Sequence, residues 1–293
     1  MNKSGTICDL LNWLEENLDR PLSLDEVAAR VGYSKWHLQR KFKETTGQVL
    51  GAYIRARRLS NAAMALRLTS KPLSAIALQY HFESQQSFNR AFKKQFLQTP
   101  ALYRRSMKWD FYGLEPPLRG RTGAVPQSDI ITLPELQLEG ITQSYTCTLE
   151  QLSLCRTQLR QRFWGQFLDE AQSDAPVLYG LSYSRPASVK NGENEVWYTT
   201  AAEPQYLPVK LENMEMFKLN AGDYAQFTYA GPTEGLQRFI MDLYGICLPL
   251  LQVVRREGYD IERFQRLPPP DADAGQETDA DIVHCDYLIP IMR

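Results

Sequence analysis

Apolar residues at spacings of three and four predict helices in the first 110 residues, where no extended alternating pattern occurs. Over residues 6–18 one face holds only apolar side chains, namely Ile7, Leu10, Leu11, Leu14 and Leu18. A short second helix follows a capping-box motif, in which Ser23 accepts from the amide of Glu26. Gly32 ends that helix, and Ser34 caps a third. Two short helices joined by a tight turn predict a helix-turn-helix.

The helix-turn-helix pattern then repeats. Phe88 and Phe92 lie fifty positions after Leu38 and Phe42, the inward-facing residues of the first pair. Between the two pairs, residues 51–70 predict one long helix. A helix of about 18 residues spans roughly 27 Å. Since one turn of DNA is about 34 Å, such a spacer suits two helices that read successive major-groove segments as one monomer.

The second helix of each pair carries large polar and basic side chains on its outward face. Arginine pairs well with guanine, glutamine and asparagine with adenine, and an exposed apolar ring with the thymine methyl group. We therefore predict base reading by seven residues: Trp36, Gln39, Arg40, Gln85, Gln86, Asn89 and Arg90. Phosphate contacts are predicted for five basic residues: Lys35, Lys43, Arg55, Lys93 and Lys94. The alternative for each is an ordinary solvated or half-buried side chain, and Arg57 and Arg58 carry the same two alternatives.

Residues 126–293 change to the period-two alternation typical of β-strands, after a linker predicted at 111–125 from its Pro and Gly content. The candidate strands are 129–146, 176–184, 195–203, 222–231, 260–266 and 282–293. The candidate helices are 149–171 and 234–252. This order is β-α-β-β, repeated once. It predicts an α+β domain with antiparallel strands and two helices on one face, behind an all-α domain at 1–110.

Charge separates the same two parts of the chain. The 293 residues include 33 Lys+Arg and 34 Asp+Glu, yet residues 1–110 carry a net charge of +9 and 111–293 a net charge of −10. Such asymmetry indicates a nucleic-acid-binding part joined to a part that avoids phosphate. The chain lacks a run near the ~18 apolar residues of a membrane span, and its N-terminus is acidic. With five scattered cysteines, these features predict a cytoplasmic protein without a membrane partner.

Sequence motifs for catalysis or metal binding are not visible. The three histidines form no HExxH motif, the cysteines form no CxxC pair, and neither a Gly-rich phosphate loop nor a Ser/His/Asp set occurs. We therefore predict no catalytic residue, no metal site and no cofactor. Aromatic residues are dense on the candidate strands, which predicts a pocket for an amphipathic or apolar small molecule. Its predicted lining is Tyr179, Trp197, Tyr198, Phe227 and Tyr229, and the alternative for any one of them is the core of the sheet.

Residues 51–105 resemble the DNA-binding domain of the AraC/XylS family of bacterial transcription regulators. The family's late signature is present as Ile76-Ala77, Phe82, Ser84, Phe88, Arg90, Phe92, Lys93, Phe96 and Thr99-Pro100. YSKWHLQRKFKETTG and ALQYHFESQQSF are similar to the MarA/SoxS/Rob subgroup. The resemblance implies two helix-turn-helix units on a central helix. It further implies an activator of stress and multidrug-resistance genes that binds promoter DNA and works with RNA polymerase on the bacterial nucleoid.

The C-terminal strand order and the closing motif DYLIPI resemble a GyrI-like effector-binding domain. That resemblance places Asp286 where related domains often have a pocket glutamate that meets cationic ligands. It therefore adds Asp286 to the predicted effector pocket. Two other functions stay open: a C-terminal domain that hydrolyses small molecules, and a non-specific architectural DNA binder. The duplicated helix-turn-helix argues against the second.

Overall fold

A computed structural model describes residues 3–69, 71–106, 108–118, 126–147, 175–183, 194–207, 209–210, 212–265 and 282–292. The chain divides into two compact units. The helical unit comprises residues 1–106, 111–125 and 244–252. The sheet unit comprises residues 107–110, 126–243 and 253–293. Each unit is described by itself.

The helical unit contains both predicted helix-turn-helix motifs. Its helices are α1 (Lys3–Glu16), α2 (Leu24–Val31), α3 (Lys35–Thr46), α4 (Leu50–Leu68), α5 (Leu73–Gln79), α6 (Gln85–Phe96) and α7 (Pro100–Arg105). The N-caps follow from the sequence, since Ser23 and Ser34 accept from the amides of Glu26 and His37. A reciprocal capping box, which the sequence analysis did not predict, joins Ser84 to residue 87 at the start of α6.

The predicted recognition helices, α3 and α6, are each anchored by apolar side chains that are fully buried. In α3, Leu38 and Phe42 pack against the apolar face of α1 in one core cluster. In α6, Phe92 stacks on Phe96 with ring centroids 4.3 Å apart and meets Tyr103 of α7 edge-on at 5.4 Å. The inward positions predicted from helical spacing are therefore the core of the unit, and they leave the opposite faces of α3 and α6 in solvent.

Helix α4 is the predicted spacer, and its 19 residues correspond to about 28 Å at 1.5 Å per residue. Two of its arginines are buried for structural reasons. Arg57 forms a 2.8 Å ion pair with Glu15 of α1, and Arg67 donates to the carbonyl of Tyr103 at 3.0 Å, near the end of α7. Arg58 is half-buried and donates to the carbonyl of Leu18 at 2.9 Å. Arg57 is thus occupied within the protein, whereas a phosphate contact by the partly exposed Arg58 stays a prediction.

The sheet unit is α+β, as predicted. Its strands are β1 (Ser128–Leu133), β2 (Leu136–Cys147), β3 (Val177–Tyr183), β4 (Asn194–Ala202), β5 (Glu215–Leu219), β6 (Gly222–Pro232), β7 (Val254–Arg255), β8 (Tyr259–Gln265) and β9 (Ile282–Met292). They form an antiparallel sheet in the order β1-β6-β9-β8-β3-β4-β2-β5, with β7 paired to β9. Helix α8 (Thr233–Asp242) falls at the start of the predicted helix 234–252. The rest of that predicted helix is a π-helical turn (Leu243–Cys247) and α9 (Leu248–Leu251), and residues 244–252 belong to the helical unit.

Two features of the sheet unit differ from the prediction, and one predicted helix cannot be compared with it. The predicted strand 129–146 is two strands, because the chain leaves the ladder between Leu133 and Leu136, where it passes through Pro134. Strand β5 was not predicted. It is a five-residue strand at the edge of the sheet, and its only neighbour in the strand order is β2. The predicted helix 149–171 lies outside the described residues.

Candidate functional site

The exposed face of α3 presents an arginine that is already oriented. Trp36 is 66% exposed although it is a large apolar side chain. The Arg40 guanidinium lies 5.4 Å from the centre of the Trp36 ring, and its Nε lies 2.7 Å from Oε1 of Glu44. Gln39 and Lys43 are exposed on the same helix. This arrangement suits a surface whose indole and guanidinium meet a partner together.

The exposed face of α6 differs at one predicted position. Gln85, Gln86 and Arg90 are exposed, as their prediction requires. Asn89 is half-buried, and its Oδ1 is shielded from solvent and accepts no hydrogen bond from any described residue. The Asn89 amide is therefore turned partly toward the protein, unlike the three neighbouring predicted base readers.

A groove of about 870 Å³ lies between α4 and α6. Arg55 of α4 and Arg90 and Lys94 of α6 line it, above buried apolar side chains that include Ile54 and Leu59. Within the described ranges, none of these three cations forms a hydrogen bond or ion pair. The lining also includes Arg58 and one carboxylate, Glu83, so cationic side chains outnumber acidic ones there and the groove is net positive. The groove therefore favours an anionic occupant. Of its residues, Arg55 and Lys94 were predicted to contact phosphate, and Arg90 was predicted to read a base.

The remaining predicted phosphate contacts are exposed lysines. Lys43 and Lys93 point to solvent on their helices. The ammonium of Lys35 lies 2.6 Å from Oδ1 of Asp25, and both side chains are more than half exposed. An exposed ion pair contributes little free energy, so Asp25 does not prevent Lys35 from meeting a phosphate.

In the sheet unit, register and alternation divide the six predicted effector residues between the two faces. One face, here called the helix-covered face because α8 packs on it at β6, carries Tyr198, Phe227 and Tyr229. The Tyr229 ring lies 5.0 Å from that of Phe239 in α8. On the opposite face lie Tyr179, Trp197 and Asp286. The six residues therefore do not line one pocket on one face, because strand alternation reverses the side of every second residue.

The helix-covered face holds a carboxylate that sequence reasoning missed. Glu262 is 0% exposed, and the Tyr198 hydroxyl donates to its Oε2 at 2.6 Å. Gly180 lies on β3, between β4, which carries Tyr198, and β8, which carries Glu262. A Cβ at Gly180 would come within 2.0 Å of the Tyr198 hydroxyl. The glycine is therefore needed for this pair. The available signal was alternation, which puts Glu262 on the same side of β8 as buried Phe264.

On the opposite face, Asp286 has partners on both neighbouring strands. Its carboxylate lies 2.9 Å from the guanidinium of Arg263 and accepts from Thr228 at 2.9 Å. The charge that was expected to meet a cationic ligand is thus already paired within the sheet. Tyr179 is buried beside Glu203, and burial followed by that carboxylate raises the Tyr179 pKa to about 12. Trp197 remains 53% exposed.

Two further properties concern only the described part of the chain. No cluster of three or more His, Cys, Asp or Glu side chains there could hold a metal ion. None of the helices described is long and apolar enough to cross a membrane.

Comparison with known proteins gives matches to both parts of the chain. A helix-turn-helix domain family matches residues 27–106, and a GyrI-like small molecule binding domain family matches residues 126–291. Transcriptional regulator Rob of Salmonella typhimurium is 52% identical over 294 residues, which cover 100% of both chains. The right origin-binding protein of Escherichia coli K12 gives the same identity and coverage.

A third relative matches only the helical part. Regulatory protein SoxS of Escherichia coli K12 is 49% identical over 104 residues, which are 36% of this chain and 97% of SoxS. A DNA-binding domain shared with SoxS, followed by a second domain shared over the full length with Rob, confirms the predicted resemblance. The chain is a DNA-binding transcription regulator that belongs to the AraC/XylS family and to its MarA/SoxS/Rob subgroup.

Proposed function

We propose that the chain activates stress and multidrug-resistance genes by reading two successive major-groove segments of promoter DNA as a monomer. The observation that carries this proposal is the pair of exposed, polar recognition helices that α4 joins within one chain. A dimer is unnecessary for two contacts when one chain supplies both helices. Family membership supports the rest of the proposal, including a cytoplasmic, nucleoid-associated location and contact with RNA polymerase.

The two recognition helices contribute different contacts to this complex. In α3, Arg40 reads a guanine while Trp36 packs on a thymine methyl group and Gln39 adds a second base contact. In α6, Gln85 and Gln86 face the bases. Arg55, Arg90 and Lys94 in the groove take the phosphate backbone that crosses between the two segments, because phosphate balances the net positive charge of the groove.

The experiment begins with duplexes selected by the wild-type chain from a random-sequence library. Hydroxyl-radical footprints on the selected duplex should show two protected segments about one helical turn apart. Sedimentation of the complex should give one protein per duplex. A single protected segment, or two proteins per duplex, contradicts the proposal. Arg105→Ala is the matched control, because Arg105 is exposed at the end of α7 and donates to its own helix.

The sheet unit, we infer, binds an amphipathic or apolar small molecule that regulates the activator. Membership in a small molecule binding domain family supports this inference. Within the described residues, the helix-covered face offers Tyr198, Phe227 and Glu262 together, which combines aromatic surface with one carboxylate. A carboxylate away from water attracts an organic cation strongly, because its field is weakly screened. We therefore place the ligand's cationic end at Glu262 rather than at the paired Asp286.

A thermal-shift comparison tests this placement on the full chain. Benzyltrimethylammonium should stabilise the wild type more than its neutral isostere neopentylbenzene at equal concentration, since a ligand that binds the folded state raises the melting temperature. Glu262→Gln keeps an acceptor for Tyr198 but removes the charge, and should abolish the difference. Asp286→Asn is the matched control and should leave it intact. Loss of the difference in Asp286→Asn alone would contradict the assignment.

One observation keeps a second candidate function in view. The Tyr198–Glu262 pair has the carboxylate–tyrosine geometry expected of a C-terminal domain that hydrolyses small electrophiles. The test is turnover of an activated ester by the wild type, compared with Glu262→Gln under the same conditions. Catalysis that Glu262→Gln removes would establish the enzyme. Equal background rates would leave effector binding as the function of the pair.

A further inference from the structure

Residues 111–118 form a strap that lies along α4 inside the helical unit. Sequence composition predicted a linker across 111–125, and the boundary of that linker stays a prediction. Over the eight described residues, however, the chain is packed rather than extended through solvent. Phe111 and Leu114 are buried, and Leu118 packs against the core cluster of the first helix-turn-helix.

The strap is hydrogen-bonded to one face of α4. The amide of Leu118 donates to the Tyr53 hydroxyl at 3.3 Å, and the amide of Glu115 donates to Oγ of Ser60 at 2.9 Å. The Arg57 guanidinium donates to the Glu115 carbonyl. Tyr53, Arg57 and Ser60 follow one another at helical spacing. The strap therefore runs antiparallel to α4 along two turns of that helix.

The strap also reaches the second recognition helix through Gln95. The side-chain amide of Gln95 in α6 donates to the carbonyl of Gly113 at 2.8 Å and lies 3.2 Å from the carbonyl of Ala56 in α4. One side chain of α6 is thus held between the strap and α4. Gly113 has φ of +80°, and a Cβ there would lie 2.6 Å from the Gln95 backbone oxygen. The close approach to α6 therefore requires glycine.

We propose that Gln95 and the strap are positioning elements for DNA recognition. They hold α6 against α4, and α4 is packed against α3 through Leu50, Tyr53 and Ile54 in the first core cluster. The distance and angle between the two recognition helices therefore depend on the strap. Since each base pair of offset rotates a groove by about 34°, a small shift of α6 changes the half-site spacing that the chain accepts.

This inference rests on the proposed reading of two segments, and its experiment uses the full chain. The probe is the duplex selected with the wild-type chain, together with duplexes in which one base pair is added or removed between the two segments. Affinity is measured by fluorescence anisotropy for the wild type, Gly113→Ala, Gln95→Ala and Glu115→Ala. The last is the matched control, because the strap uses the backbone of Glu115 while its side chain is exposed.

We expect the wild type to lose about tenfold in affinity when the spacing changes by one base pair, as for a mismatched contact. Gly113→Ala and Gln95→Ala should bind the selected spacing about tenfold more weakly and distinguish the spacings by threefold or less. Glu115→Ala should behave as the wild type. A duplex that keeps only the segment read by α3 should bind all four chains equally.

Other outcomes overturn the proposal in distinguishable ways. Unchanged spacing preference in Gln95→Ala, or an equal loss on every duplex, shows that the strap is only structural. Stoichiometric titration gives the fraction of active protein, so Gln95→Ala decides the matter if Gly113→Ala fails to fold. A wild type indifferent to spacing overturns the two-segment reading itself, and the strap's role with it.

Discussion

The two recognition helices have the same buried side and different exposed sides. Positions fifty residues apart correspond, so Phe42 matches Phe92 and both are 0% exposed. On the exposed sides, Arg40 has an indole beneath it and Glu44 beside it. Arg90 corresponds to Arg40, but Lys94 stands where α3 has Glu44. The duplication thus preserved packing while the charge around the recognition arginine changed sign.

This difference indicates a division of labour between the two helices. An arginine that is oriented before binding loses less side-chain entropy when it pairs with a base, which favours specific reading by α3. An arginine that shares a groove with two other cations gains most from a nearby phosphate, whatever the sequence. The helical pair therefore combines one specific helix with one that contributes more to affinity.

The largest expected effect is a loss of folding stability, and it tests whether the buried sides of α3 and α6 stabilise the helical unit equally. Phe42→Ala and Phe92→Ala should each destabilise the helical unit by about 3–5 kcal/mol, because each empties a fully buried aromatic site. The Phe92 change should cost more, since its ring contacts Phe96 and Tyr103 as well as the surrounding apolar residues. Urea denaturation followed by circular dichroism measures both. A larger loss for Phe42→Ala would show that the second core is the looser one.

A smaller effect separates specific from non-specific binding. Arg40→Ala should cost about 1–3 kcal/mol on the selected duplex and relax preference at one base pair. Arg90→Ala should weaken binding to all duplexes alike and reduce the slope of log affinity against log salt by about one, as should Lys93→Ala. Equal losses for Arg40→Ala on selected and random duplexes would remove the contrast between α3 and α6.

The smallest effect concerns the pair that only α3 possesses. The hydrogen bond from Arg40 lowers the pKa of the exposed Glu44 carboxyl, with Lys41 adding a lesser attraction. Because the folded-state pKa is depressed, the pair stabilises the helix above the unfolded-state pKa and is lost as pH falls through the folded value. Carboxyl titration by NMR should therefore show the Glu44 pKa rising toward its ordinary value in Arg40→Ala, and less in Lys41→Ala. No change in Arg40→Ala would mean that the arginine is not oriented by Glu44 in solution.

Much of the helical unit could be predicted from sequence because its signals are local. Helical spacing identified Leu38 and Phe42 as core, and Ser34 caps α3 as its position suggested. The same reasoning put Asn89 among the base readers, although its Oδ1 is turned toward the protein. Helical spacing shows which side of a helix faces outward, but it does not show how exposed the residues at the edge of that side are. Packing decides the exposure of those edge residues.

The sheet unit shows where local signals end. Alternation located most strands, yet it could not say which residues of different strands share a face. Which residues share a face depends on the register of the strands. The register pairs Glu262 with Gly180 and brings the Tyr198 hydroxyl to the Glu262 carboxylate, 64 residues away in sequence. A shift by one residue would exchange the faces. The predicted pocket therefore combined residues from both sides of the sheet.

The sequence by itself determined the helices of the helical unit, the caps at Ser23 and Ser34, the duplication, the charge division and the family. These depend on interactions within about four residues or on motifs that need no contact map. Tertiary structure alone decided that Arg57 is buried against Glu15, that Arg55, Arg90 and Lys94 share a groove, and that 111–118 is a strap. Each of these joins groups more than thirty residues apart in sequence, and only the packing of whole elements brings such groups into contact.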